Sequence, residues 1–216
     1  MIPMSKRIAV LVSGGGTNLQ ALLDAQDRGE IENGRIAAVI SSSPRAYALE
    51  RAKKAGVPGY VLEKRDFPDD AGLTRALVAL LKKLEIDLVV MAGYMTIVTG
   101  ELFQAYENAV INIHPSLIPS FCGRGCYGLH VHEKALAYGV KVSGATVHFV
   151  TQECDAGPII LQDTVEVLPD DTPEALQRRI MEHCEWKLLP RAVSLFCQGR
   201  LRVEGRTVRI LDTGEQ

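Results

Sequence analysis

The chain has 216 residues, 47% of them hydrophobic and 23% charged, with a formal net charge of −2. That is enough apolar material for one globular domain with a substantial core, and so small a charge excludes recognition of nucleic acid or an anionic membrane by bulk electrostatics. No apolar run approaches the roughly 18 residues of a membrane span and the first is too short for a signal-peptide core, so a cytoplasmic protein whose five scattered cysteines stay reduced is expected.

Lys6 to Val12 reads as a buried first strand, followed by Ser13-Gly14-Gly15-Gly16-Thr17-Asn18 and an amphipathic helix from about Leu19 to Arg28. Strand, glycine turn and helix in succession leave several backbone N–H groups at a positive helix end, which suits an anion. The turn lacks the third glycine of a dinucleotide fingerprint, and the second strand, Arg35 to Ile40, runs into Ser41-Ser42-Ser43 where an acidic ribose ligand would stand. It also lacks the Gly-Lys-Ser/Thr of a nucleoside triphosphate loop. A single phosphate, with Thr17 and Asn18 adding side-chain hydrogen bonds, fits better; a tight turn with a helix cap is the alternative.

A regular alternation follows: helix from Pro44 to Ala55, strand from Gly59 to Leu62, helix from Asp69 to Leu84, strand from Ile86 to Met91. This βαβαβαβ order predicts a mostly parallel twisted sheet with helices on both faces. In such sheets ligands bind beyond the carboxyl ends of strands, where Gly14 to Asn18, Ala92 to Val98 and Asn112 to Pro119 all fall. Ala92-Gly93-Tyr94-Met95-Thr96-Ile97-Val98 could line a slot for a flat heterocycle or be plain core.

After a short helix from Gly100 to Tyr106 comes Val110-Ile111-Asn112-Ile113-His114-Pro115. Residues two apart on a strand share a face, so an amide and an imidazole would project side by side before Pro115 ends the ladder. A neutral donor beside a titratable ring suits a reaction in which a carbonyl oxygen becomes negative while a proton leaves a nucleophile. A strand end whose polar residues only satisfy a turn would look the same.

Ser120 to Gly128 carries three glycines and reads as a mobile loop, a plausible lid. Its Cys122-x-x-x-Cys126-x-x-x-His130-x-His132 pattern has zinc-ligand types at an unusual spacing, and no metal is expected. A helix from His130 to Tyr138, a strand from Lys141 to Val150 in which His148 reads as an ordinary pleat residue, a polar turn holding Asp155, and a strand from Ile159 to Thr164 come next. A long helix from Thr172 to about Cys197 and a small hairpin from Arg200 to Leu211 complete the chain.

Four segments, SGGGTNLQALLDA, VVMAGYM, INIHPSLIPSF and VSGATVHFVTQECDAGPIILQ, in that order from Lys6 to about Arg202, resemble the phosphoribosylglycinamide formyltransferases. The resemblance implies an α/β, single-domain, Rossmann-like formyltransferase fold, with a phosphate-binding half at about 6–100 and a catalytic, folate-binding half at about 101–211. It implies transfer of a formyl group from 10-formyltetrahydrofolate, the cosubstrate, to the amino group of glycinamide ribonucleotide in de novo purine biosynthesis. Asn112, His114 and Asp155 match the catalytic trio, Gly16, Thr17 and Asn18 the phosphate loop, and Glu182 a ribose-contacting acid. Met95, Thr96, Ile97 and Val98, with Asn112, match the folate pocket. No partner other than these small molecules is implied, as monomer or homodimer. Two departures stand out: the Cys122 to Tyr127 loop is longer than in some members, and Asp70, with Arg65 close by, stands where some members place an arginine. The rivals are a formyltetrahydrofolate deformylase, which the phosphate loop argues against, a methionyl-tRNA formyltransferase, which the slightly acidic charge argues against, and a non-catalytic binding module.

Overall fold

The computed structural model describes residues 5–212. The first strand, β1 (Lys6–Val12), is buried inside the sheet, and its apolar side chains alternate between two cores because successive strand residues point to opposite faces. Ile8, Val10 and Val12 meet Leu19 and Leu22 of α1 (Thr17–Asp27) on one face, while Ala9 and Leu11 meet Leu77 and Leu81 of α3 (Asp70–Lys83) on the other. Leu77 and Leu81 are fully buried, each contributing roughly 2 kcal/mol. The exposed ion pair of Lys64 with Asp70 at 2.8 Å adds less than about 1 kcal/mol, so packing is what holds α3. Asp69 caps the helix by accepting from the Gly72 N–H at 2.6 Å.

The remaining elements are β2 (Gly34–Ser41), α2 (Tyr47–Lys54), β3 (Gly59–Val61), β4 (Leu88–Met91), α4 (Gly100–Ala105), β5 (Val110–His114), α5 (Leu129–Tyr138), β6 (Val142–Phe149), β7 (Ile159–Glu166), α6 (Pro173–Ile180), α7 (Trp186–Cys197), β8 (Leu201–Glu204) and β9 (Thr207–Ile210). One nine-stranded sheet runs in the order β3-β2-β1-β4-β5-β6-β7-β9-β8. From β3 to β5 every pairing is parallel, which bears out the alternation read from the sequence; β6 is antiparallel to both β5 and β7. The terminal hairpin, β8 with β9, extends the sheet past β7. No helix among the described residues is long and apolar enough to cross a membrane.

Two elements differ from expectation. Helix α2 begins at Tyr47, three residues after Pro44, because Ser43 to Ala46 make a turn in which Ala46 N–H reaches the Ser43 carbonyl at 3.3 Å. The expected long helix from Thr172 is broken in two by a π-helical turn, Met181–Glu185. Pro190 lies inside α7 and has no N–H for the carbonyl of Trp186, so the regular ladder fails where the wide turn ends.

Candidate active site

Ile111 and Ile113 of β5 point into the larger core, which leaves Asn112 and His114 side by side on the opposite face. Antiparallel pairing sets Asn112 opposite His148 and His114 opposite Thr146, so four polar side chains meet across two neighbouring strands. The Nδ1 of His148 lies 2.8 Å from the Phe149 carbonyl, which can only accept, so Nδ1 carries the hydrogen. Burial pushes the His148 pKa down and keeps the ring neutral. Its Nε2 therefore accepts from the Asn112 amide at 3.2 Å, fixing which end of that amide is nitrogen and leaving its second N–H free. The sequence reading passed over His148; the signal available was that it shares parity with Thr146 on a strand paired to β5.

Asp155 reaches the same place from the loop joining β6 to β7, at a positive φ of 52° that Asp tolerates better than most residues. One carboxylate oxygen lies 3.6 Å from His114 Nδ1 and the other 3.7 Å from His148 Nε2. The Gly123 N–H donates to it at 2.9 Å. On its other side His114 donates from Nε2 to the Phe121 carbonyl at 3.0 Å, so the ring is gripped between Asp155 and the loop that follows β5. That loop is itself secured: Ser116 Oγ donates to the Ser120 carbonyl at 2.6 Å, and Thr146 Oγ1 to the Ser116 carbonyl at 2.7 Å. The amide, imidazole and carboxylate singled out from sequence thus converge on one small region, mostly screened from solvent.

The glycine turn lies beyond the end of β1. Gly16 is the N-cap of α1, at φ 72° and ψ 38°, and no side chain caps the helix, so its first-turn amides are left to an external acceptor. Thr17 is exposed, with Oγ1 3.9 Å from Met181 Sδ. Asn18 donates from Nδ2 to Glu185 at 2.6 Å. Burial pushes the Glu185 pKa up, and the Asn18 hydrogen bond works against that rise. The acid packed against the loop is therefore Glu185 and not Glu182, which is exposed and makes no hydrogen bond among the described residues. The π-helical turn between the two is the physical reason, since its extra residue swings them onto different faces.

Met95 and Ile97 are 55% and 65% exposed, which rules out the plain-core alternative for that segment. Met95 N–H donates to Ser13 Oγ at 2.8 Å, and Ser13 in turn shares a 2.6 Å hydrogen bond with Ser42 Oγ, so the ends of β1, β2 and β4 are tied together. The Tyr94 hydroxyl is buried without a hydrogen-bond partner among the described residues.

Among the described residues no group of three or more His, Cys, Asp and Glu is placed to hold a metal. Cys126 faces Lys134 Nζ at 3.2 Å, His130 pairs with Glu133 at 2.8 Å, and His132 is turned fully into the core. Burial and the neighbouring Asp155 push the Cys122 thiol up, which opposes thiolate ligation. Asp70 pairs with Lys64, and Arg65 with Glu63 at 2.8 Å.

A family model described as "Formyl transferase" matches residues 6–193. The chain is 40% identical to phosphoribosylglycinamide formyltransferase from Haemophilus influenzae, over 92% of this chain and 91% of that one. Among solved structures, glycinamide ribonucleotide transformylase 1 from Symbiobacterium toebii superposes with a TM-score of 0.91 at 49% identity, covering 97% of this chain and 95% of that one. A formyltetrahydrofolate deformylase from Pseudomonas syringae gives 0.85 at 30% identity, with 96% of this chain but only 66% of that chain covered. By sequence and by architecture the chain belongs to the formyl transferase family.

Proposed function

We propose that the protein transfers the formyl group of 10-formyltetrahydrofolate to the amino group of glycinamide ribonucleotide, a step of de novo purine biosynthesis. The observation that carries the reading is the meeting of Asn112, His114 and Asp155 at the same edge of the sheet as a glycine turn open to phosphate. The names of the relatives at about 40% identity agree with it.

The folate supplies an activated one-carbon unit, and the chain supplies geometry and charge. Attack of the amine on the formyl carbon puts negative charge on the formyl oxygen and positive charge on nitrogen. Asn112 meets the oxygen with the N–H that His148 leaves free, worth roughly 3 kcal/mol if typical of such donors. His114 and Asp155, 3.6 Å apart, take the proton from nitrogen and return it to N10 as the old C–N bond breaks, so the amine loses the proton that tetrahydrofolate gains. Gly16, Thr17 and Asn18 bind the phosphate, whose remote binding energy holds the amine in place. Glu182, exposed on the π-helical turn, takes the ribose contact, while the buried Glu185 holds Asn18 in the loop. The exposed stretch Met95 to Val98 receives the pterin through apolar side chains and backbone groups.

The test mixes purified protein with both substrates and follows tetrahydrofolate release. Release that depends on the ribonucleotide supports transfer. Equal release with water as sole acceptor would instead make the protein a deformylase, the activity named for the Pseudomonas syringae neighbour.

A further inference from the structure

The glycine turn is held from behind by α2, and one side chain there has no assigned role. Ala48 N–H donates to the Gly14 carbonyl at 3.1 Å, and Arg51 Nε donates to the Gly15 carbonyl at 2.8 Å. Both peptides are trans, so each N–H points opposite to its own carbonyl. The N–H groups of Gly15 and Gly16 therefore face away from α2, toward the side on which the first-turn amides of α1 lie open.

The two peptides are not equally secure. The first is fixed by a main-chain donor that no substitution removes. The second joins two glycines: a Cβ on Gly15 would meet nothing within 4 Å, so that residue's dihedrals are free to turn the peptide, whereas Gly16, at φ 72°, is seated against Ala48, where a Cβ would come within 2.7 Å. The hydrogen bond that holds its carbonyl toward α2 comes from the Arg51 guanidinium. That group is itself braced, donating from a second nitrogen to Gln20 Oε1 at 2.9 Å and lying 5.0 Å above the centre of the Tyr47 ring.

The geometry points to Arg51 as the positioning residue of the phosphate subsite: by holding the Gly15 carbonyl, it turns the Gly16 N–H toward the phosphate of the substrate. This rests on the assignment of the glycine turn to phosphate. Arg51 acts through the backbone, and its two hydrogen bonds occupy it with the turn and with α1.

The test compares wild type with Arg51→Gln on glycinamide ribonucleotide and on the same substrate without its phosphate. Wild type should use the phosphorylated substrate far better. In Arg51→Gln its KM should rise about tenfold, the loss expected for one charge-assisted hydrogen bond. Meanwhile kcat, the folate KM and kcat/KM for the dephosphorylated substrate should stay within about twofold. In nitrogen-15 NMR spectra, titration with inorganic phosphate should move the Gly16 amide resonance of wild type and leave that of Arg51→Gln in place. Should Arg51→Gln fail to fold, Gln20→Ala, which removes the lateral brace, must raise the same KM by a smaller factor. If the dephosphorylated substrate suffers equally, or Arg51→Gln behaves as wild type, the proposal is overturned. If wild type itself ignores the phosphate, the phosphate assignment fails, and the proposal with it.

Discussion

His132 is fully buried on α5, and neither of its ring nitrogens has a hydrogen-bond partner among the described residues. Burial, with His114 nearby adding to the effect, pushes its pKa from 6.5 down to about 4. The folded state therefore keeps the ring neutral while the unfolded chain takes up a proton below pH 6.5, so stability is complete above that pH and is lost as pH falls toward 4. At pH 5 the unfolded form is favoured by 1.5 units, about 2 kcal/mol, and by pH 4 the loss reaches about 3 kcal/mol. In His132→Leu, which fills a similar volume and removes two unpaired polar atoms, the protein should be about 1–2 kcal/mol more stable than wild type at pH 7.5. Its advantage should widen by about 2 kcal/mol at pH 5. The buried His148 also has a lowered pKa and contributes a slope of the same sign, but it is common to both proteins and cancels in the difference. Urea unfolding followed by circular dichroism at pH 7.5, 6 and 5 measures the gap, which should grow by roughly 1 M in midpoint. A gap that stays constant with pH, or a variant weaker than wild type at pH 7.5, would refute the argument. Because His132 makes no hydrogen bond to Asn112, His114 or Asp155, kcat should change by less than about threefold.

The other expectations concern the chemistry. Asn112→Ala should lower kcat by a factor of about 100 to 1,000 with little change in the KM for the ribonucleotide, in steady-state assays at saturating folate. In His148→Phe the Asn112 amide is free to rotate, so kcat should fall about tenfold; a change in KM alone would show that the amide needs no brace. Glu182→Ala should raise the ribonucleotide KM with little change in kcat, and an unchanged KM would remove Glu182 as the ribose contact. In Gly157→Ala the new Cβ would collide with the backbone carbonyl of Phe149, displacing the loop that carries Asp155; both kcat and the thermal midpoint should drop.

The parts of the site that could be read from sequence are those set by local periodicity. Asn112 and His114 share a face because they are two apart on a strand, and the glycine turn is recognisable because a buried strand precedes it and a helix follows. His148 escaped because its role depends on the register of β6 against β5, which no local pattern encodes. Glu185 was not legible as the partner of Asn18 because the two are far apart in the chain and meet at a wide turn that only three-dimensional packing reveals. The parallel sheet followed from alternating strands and helices, whereas the start of α2 was set by the turn after Pro44 and by the Gly14 carbonyl that receives its first-turn N–H. The cysteine–histidine spacing suggested ligands whose side chains the fold sends in different directions.

Ser13 deserves a different kind of attention for what its hydroxyl joins. It bonds the backbone of Met95, in the stretch proposed for the pterin, from a position one residue ahead of the glycines proposed for phosphate. A drug that wedges the first stretch open would therefore tug on the second, and resistance to it could arise by loosening this one tether, one hydrogen bond behind the backbone the drug displaces.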